Sequence, residues 1–135
     1  MKTSNKINGS RFETRIAQIL SKHGFWVHLL AQNAAGQPAD IIAVKNGKAY
    51  LIDCKLCEGN YFDLRRIELN QELSMTKWRE CKNGEGLFCI SFNNKIYMIN
   101  LPDLLNADSS RITEFYCGLA GGTLESWLKY VDNRR

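Results

Sequence analysis

Proline is nearly absent from this chain, with two in 135 residues, and no stretch is low in complexity, which argues against extended disorder. No apolar run approaches the roughly 18 residues of a membrane span, so a membrane-spanning helix is excluded. The opening stretch MKTSNKINGSRFE lacks the apolar segment that would direct secretion, and the five cysteines (Cys54, Cys57, Cys81, Cys89 and Cys117) are an odd number. Reduced thiols in a cytoplasm are therefore expected. Histidine is scarce too: His23 ends a helical segment, His28 alternates in a strand, and neither has a visible nucleophile partner. Cys54 and Cys57 form C-x-x-C, but no second pair stands at zinc spacing and no histidine lies near in sequence, so a zinc site is not expected.

What is present fits one compact domain. Hydrophobic residues make up 44% and charged residues 24%. A chain of this length can bury about two thirds of the surface its unfolded form exposes. The net charge of +4 is unevenly placed. Residues 1–100 hold fourteen Lys or Arg against nine Asp or Glu, and residues 101–135 hold four against five. A basic excess of that kind suits a polyanionic partner, because Lys and Arg displace counterions from phosphates.

Residues 1–8, polar and basic, read as a mobile arm. Phe12, Ile16, Ile19 and Leu20 then fall on one helical face, with Ser10 as N-cap, Glu13 three residues on and Gly24 as the stop. Phe25–Leu30 is a strand, Gln32–Gln37 a flexible loop, and Pro38 leads into a strand from Asp40 to Val44. Asn46-Gly47 joins this strand to Lys48–Lys55 as an antiparallel hairpin. A polar loop through Asp63 precedes a helix near Arg66–Cys81, whose apolar positions include Ile67, Leu69, Leu73, Met75 and Trp78. Leu87–Phe92 and Lys95–Ile99, joined by Asn93-Asn94, form a second hairpin. A short helix is expected around Leu124–Tyr130. The order α-β-β-β-α-β-β plus a short C-terminal helix describes a single α/β domain over 1–135, with its core in 9–100 and a C-terminal extension in 101–135.

The chemistry concentrates on the first hairpin. Asp40 opens one strand and Asp53-Cys54-Lys55 lies near the end of its partner. Alternation puts Asp53 and Lys55 on one face and Cys54 on the other. Asp40 and Asp53 lie six or seven residues from the turn, so antiparallel pairing brings two carboxylates and one ammonium together. Leu51, Ile52, Ile41, Ile42, Ala43 and Val44 make this a largely buried hairpin, where charges need a partner or a metal. Asp40, Asp53 and the backbone carbonyl of Cys54 are hard oxygen donors of the kind that Mg2+ takes. Such an ion lowers the pKa of a bound water and stabilises charge on phosphorane oxygens, which is the chemistry of phosphodiester hydrolysis. Lys55 orients the attacking water, adds positive charge to the same oxygens, or serves as general base if its pKa is strongly lowered.

These residues, with Gly9, Ser10 and Glu13 at the start of the first helix, resemble the PD-(D/E)XK nuclease superfamily. Within it the chain looks most like the small Holliday-junction resolvases, of the archaeal type or of the bacterial RecU type and its phage relatives. The likeness covers about residues 8–100. It implies a restriction-endonuclease-like core, a mixed central sheet flanked by helices. It also implies that Asp40 and Asp53 bind metal, that Glu13 completes the acidic cluster and that Lys55 is catalytic, with Gln71 near the site. Two departures stand out: Ala39 separates Pro38 from Asp40, and Asp53 stands where many members have Glu.

The implied activity is a Mg2+-dependent endonuclease, with Mn2+ able to substitute, that resolves four-way DNA junctions in recombination and repair. A homodimer is expected, since two strands need two active sites and one domain supplies one. Lys6, Ser10, Arg11, Arg65, Arg66 and Gln71 are the expected DNA contacts. A phage or mobile-element endonuclease for flaps, forks or specific duplex sites is the first alternative, and a non-catalytic DNA-binding module the second.

Overall fold

The computed structural model describes the backbone of residues 2–31 and 37–133, and the side chains of 11–31 and 37–133. Its centre is a six-stranded mixed sheet built from β1 (Trp26–Leu29), β2 (Ile41–Lys45), β3 (Lys48–Cys57), β5 (Leu87–Phe92), β6 (Lys95–Asn100) and β8 (Gly122–Thr123), adjacent in that order. Only β3 and β5 run parallel; the other neighbouring pairs are antiparallel. A small second sheet pairs β4 (Tyr61–Asp63) with β7 (Arg111–Thr113).

Helices cover both faces, as the alternation of each strand requires. On one face α1 (Lys2–Lys22) and α5 (Leu124–Asn133) pack Phe12, Ile16, Leu20, Leu128 and Val131 against Ile41, Tyr50, Ile52 and Cys89. On the other, α2 (Leu69–Glu80), α3 (Leu101–Leu105), α4 (Glu114–Ala120) and the small sheet cover Leu51, Phe88, Ile90 and Ile99 with Met75, Leu104, Cys117 and Ile112. Each large side chain sealed in these layers contributes about 1.5–3 kcal/mol of burial.

Both hairpins form with the expected turns. Asn46 (φ 54°) and Gly47 (φ 75°) take left-handed conformations, as do Asn93 (φ 50°) and Asn94 (φ 71°). Such pairs of positive φ match the twist of the strands they join. Strands β1, β2, β3, β5 and β6 with α1 and α2 follow the expected order. β4 forms inside the stretch expected as a polar loop through Asp63, because β7 pairs with it, and α3, β7, α4 and β8 add structure where the sequence pattern was faint. Gly86 shows why α2 sits so close to the sheet. A Cβ there would lie 2.3 Å from the Met75 side chain, so only glycine lets that helix approach β5.

Several expectations need correction, and one lies largely beyond the described residues. Helix α1 begins at Lys2, so residues 2–8 are continuous with it and Ser10 lies within the helix rather than at its cap. Helix α2 begins at Leu69, after a 3-10 turn over Leu64–Arg66. Leu69 and Leu73 are 69% and 61% exposed; the inward face of α2 instead carries Gln71 and Met75. The expected loop over 32–37 lies outside the described residues except for Gln37, which is buried.

Candidate active site

The hairpin register decides the site. Ile41 pairs with Ile52 and Lys45 with Lys48, so one further step puts Asp40 opposite Asp53. The main chain confirms that step, with the Asp40 N–H donating to the Ile52 carbonyl at 3.0 Å. β3 pairs with β2 only as far as Ile52 and with β5 from Ile52 onward. Its β2-side edge is thus open from Asp53 to Cys57, and Asp40 occupies the start of that opening. The Cys54 N–H donates to Asp40 Oδ2 at 2.7 Å. Because N–H and C=O of one strand residue point to the same side, the Cys54 carbonyl faces the same open edge.

Asp53 is 1% exposed and held from α2. Gln71 Nε2 donates to Asp53 Oδ1 at 2.9 Å, while Gln71 Oε1 accepts from Lys55 Nζ at 3.4 Å and from the Glu68 N–H at 3.3 Å. One amide therefore positions an acid and an amine together, and the capping arrangement at the start of α2 anchors that amide. Lys55 Nζ lies 3.1 Å from Asp53 Oδ2. This contact is an ion pair without hydrogen-bond alignment, so Asp53 Oδ2 is buried with no hydrogen bond. Asp40 Oδ1 accepts from Gln37 Nε2 at 2.6 Å.

Electrostatics follow from this crowding. Burial, then the charge of Asp40, push the Asp53 carboxyl up to about 8 against the pull of Lys55. The same two causes push Glu13, on α1, up to about 7. Glu13 thus lies near enough to Asp40 to feel its charge. Three carboxyls that resist simultaneous ionisation, one of them with a buried orphan oxygen, form a place where a cation would relieve repulsion.

The donor set is all oxygen, which fits a hard divalent ion. Among the described residues no three acidic, histidine or cysteine side chains converge tightly enough to ligate one ion alone. Two aspartates and the Cys54 carbonyl would hold such an ion with waters completing its shell.

The remaining expected residues divide. Arg11 is exposed on α1, whereas the side chains of Lys6 and Ser10 lie outside the described ones. Arg65 is bound to Asp63 by ion pair and hydrogen bonds. Arg66 donates to the Leu56 carbonyl at 2.8 Å, one residue beyond Lys55, and its guanidinium lies over the Phe62 ring. Cys54 Sγ turns away from the acids to Cys89, which together with burial raises its pKa. Cys57 points into the layer beneath α2 and donates to the Tyr61 carbonyl, so the C-x-x-C sulfurs occupy opposite faces. His23 Nδ1 lies against the Ile19 carbonyl and His28 stacks on Trp26.

Two residues escaped the sequence reading: Gln37, and Asn70, whose Nδ2 donates to the Gln37 carbonyl at 2.9 Å. No local signal marked either one: the proline after Gln37 restricts its backbone to extended conformations but says nothing of what its side chain meets.

Comparison with known proteins agrees with this geometry. The family model described as archaeal Holliday junction resolvase (Hjc) matches residues 4–128, and thus reaches well into the expected C-terminal extension. No curated protein matches. Among solved structures, the 1.6 Å structure of Archaeoglobus fulgidus Hjc, a Holliday junction resolvase from an archaeal hyperthermophile, is similar in fold. It superposes with a TM-score of 0.68 at 18% identity, covering 89% of this chain and 99% of that one. No helix among the described residues is long and apolar enough to cross a membrane.

Proposed function

The chain belongs to the archaeal Holliday junction resolvase family, and we propose on that premise that it is a metal-dependent endonuclease that cuts four-way DNA junctions. The observation that carries this reading is the convergence of Asp40, Asp53 and Lys55 at the open edge of β3. Asp40, Asp53 and the Cys54 carbonyl would hold Mg2+, which Mn2+ could replace, and Glu13 would complete the acidic cluster beside Asp40. When bound, the ion lowers the pKa of a coordinated water and neutralises charge on the phosphate.

The chain's own groups do the rest. Lys55 is held within the acidic cluster by Asp53 and Gln71, where its ammonium orients the attacking water or meets charge growing on the phosphate oxygens. Gln71 keeps the Lys55 amine and the Asp53 carboxylate in register. Arg11, Arg65 and Arg66, with Lys6 and Ser10, contact the DNA backbone, and a homodimer supplies two sites for the two strands.

The test is a panel of labelled four-way junctions, flaps and linear duplexes incubated with Mg2+, Mn2+ or a chelator. Paired nicks in the junction, absent with chelator, are expected. Cleavage of no substrate, or cleavage indifferent to chelator, overturns the reading.

A further inference from the structure

Gln37 is 7% exposed and spends its amide on the acidic site. Its Nε2 donates to Asp40 Oδ1 at 2.6 Å, while the Cys54 N–H donates to the other oxygen at 2.7 Å. Two donors, one on each oxygen, fix the plane of that carboxylate and leave lone pairs on both oxygens for an ion. The second end of the amide is unspent: Gln37 Oε1 is buried and accepts no hydrogen bond. A buried acceptor without a donor is destabilising, and an apolar residue of similar length at this position would avoid that cost, though it would also forfeit the donor to Asp40. The backbone beneath it is also tied down, by Asn70 Nδ2 on the Gln37 carbonyl at 2.9 Å. The first turn of α2 therefore holds both halves of the site, Asp53 through Gln71 and Asp40 through Asn70 and Gln37.

We propose that Gln37 is a positioning residue for the divalent ion, orienting Asp40 with its N–H while its free carbonyl accepts a hydrogen bond from a water on that ion. This rests on the metal-dependent reading above. Groups that orient metal ligands from behind are worth about 10–100-fold in metal affinity. A purely structural role predicts something else: loss of fold stability with metal affinity unchanged in whatever protein remains folded.

The experiment measures Mn2+ binding by titration calorimetry and electron paramagnetic resonance, together with thermal unfolding of the metal-free proteins. It compares the unaltered chain, Gln37→Met and Asn70→Ala. Gln37→Met keeps the volume and removes both the orphan acceptor and the donor to Asp40, two opposed effects on the metal-free unfolding temperature, while Mn2+ binding should weaken about tenfold or more whichever way that temperature moves. Asn70→Ala should weaken Mn2+ binding less. If the unaltered protein takes up no Mn2+ with or without junction DNA, the metal reading falls and this inference with it. If it binds and Gln37→Met binds equally well, or loses only stability, Gln37 has no positioning role while the metal site stands.

Discussion

The main-chain N–H of Cys54 holds the Asp40 carboxylate at 2.7 Å, so the peptide next to Asp53 positions the acid that faces Asp53 across the hairpin. Neither aspartate can move without disturbing the other, and α2 braces the pair through Gln71.

Replacing Lys55 with alanine should lower junction cleavage by about 100-fold or more, the usual effect of removing one preorganised charge-stabilising group. Junction affinity, measured by gel shift in the presence of Ca2+, should change little. Retained cleavage would remove Lys55 from the chemistry.

The metal-free protein should lose stability as pH rises. Asp53 and Glu13 titrate near 8 and 7 in the folded chain, against 3.8 and 4.5 ordinarily, so the native state holds more protons than the unfolded one. Their favourable contribution is complete below about pH 4 and disappears as pH climbs through 7 to 8. Thermal unfolding with chelator should therefore fall by roughly 3–6 °C between pH 6 and 9, and Mn2+ at the upper end should reverse the fall. A flat profile would show that the acids do not repel as the geometry requires.

Asp53→Asn separates stability from chemistry. It removes a buried negative charge that Asp40 opposes while keeping an acceptor for Gln71. The metal-free variant should unfold a few degrees higher at pH 8, by about 1 kcal/mol or more, and should not cut DNA. Chelator-treated samples compared by calorimetry check the first half, and nicking assays the second.

Gln71→Ala should reduce kcat about 10–100-fold, because Asp53 and Lys55 lose their common anchor. It also opens the capping box of α2, costing about 1 kcal/mol in denaturant unfolding. A kcat unchanged despite that loss would leave Gln71 with a structural role alone.

Gly86→Ala tests the seating of α2 on the sheet. The new methyl would collide with Met75 at 2.3–2.7 Å, costing about 1–3 kcal/mol as overpacking. Since α2 carries Gln71, cleavage should fall more than stability alone explains at temperatures where the variant stays folded.

Much of this was legible along the chain because its signals are local. Asn46-Gly47 set the hairpin, and the period of two placed Asp53 and Lys55 on one face with Cys54 on the other, so the Asp40–Asp53 pairing could be counted from the turn. The helical periodicity of Phe12, Ile16 and Leu20 likewise identified the buried stripe of α1. Leu69 and Leu73 misled for the opposite reason: an apolar residue at helical spacing shows that a face exists, not that anything covers it.

By itself, the sequence determined which residue types can do the chemistry and which strand pair brings them together, because turn geometry and alternation act over neighbouring residues. Gln71 and Glu13 were expected near the acids only through the family resemblance; tertiary structure decided the contacts themselves, Gln71 from α2 on Asp53 and Lys55, Gln37 on Asp40, and Glu13 beside Asp40 from α1. Apart from Gln37 on Asp40, three residues away, those contacts span 16 to 27 residues, and they exist only because two helical layers pack on opposite faces of one sheet. No local pattern records which polar side chain such packing will trap beside a charge.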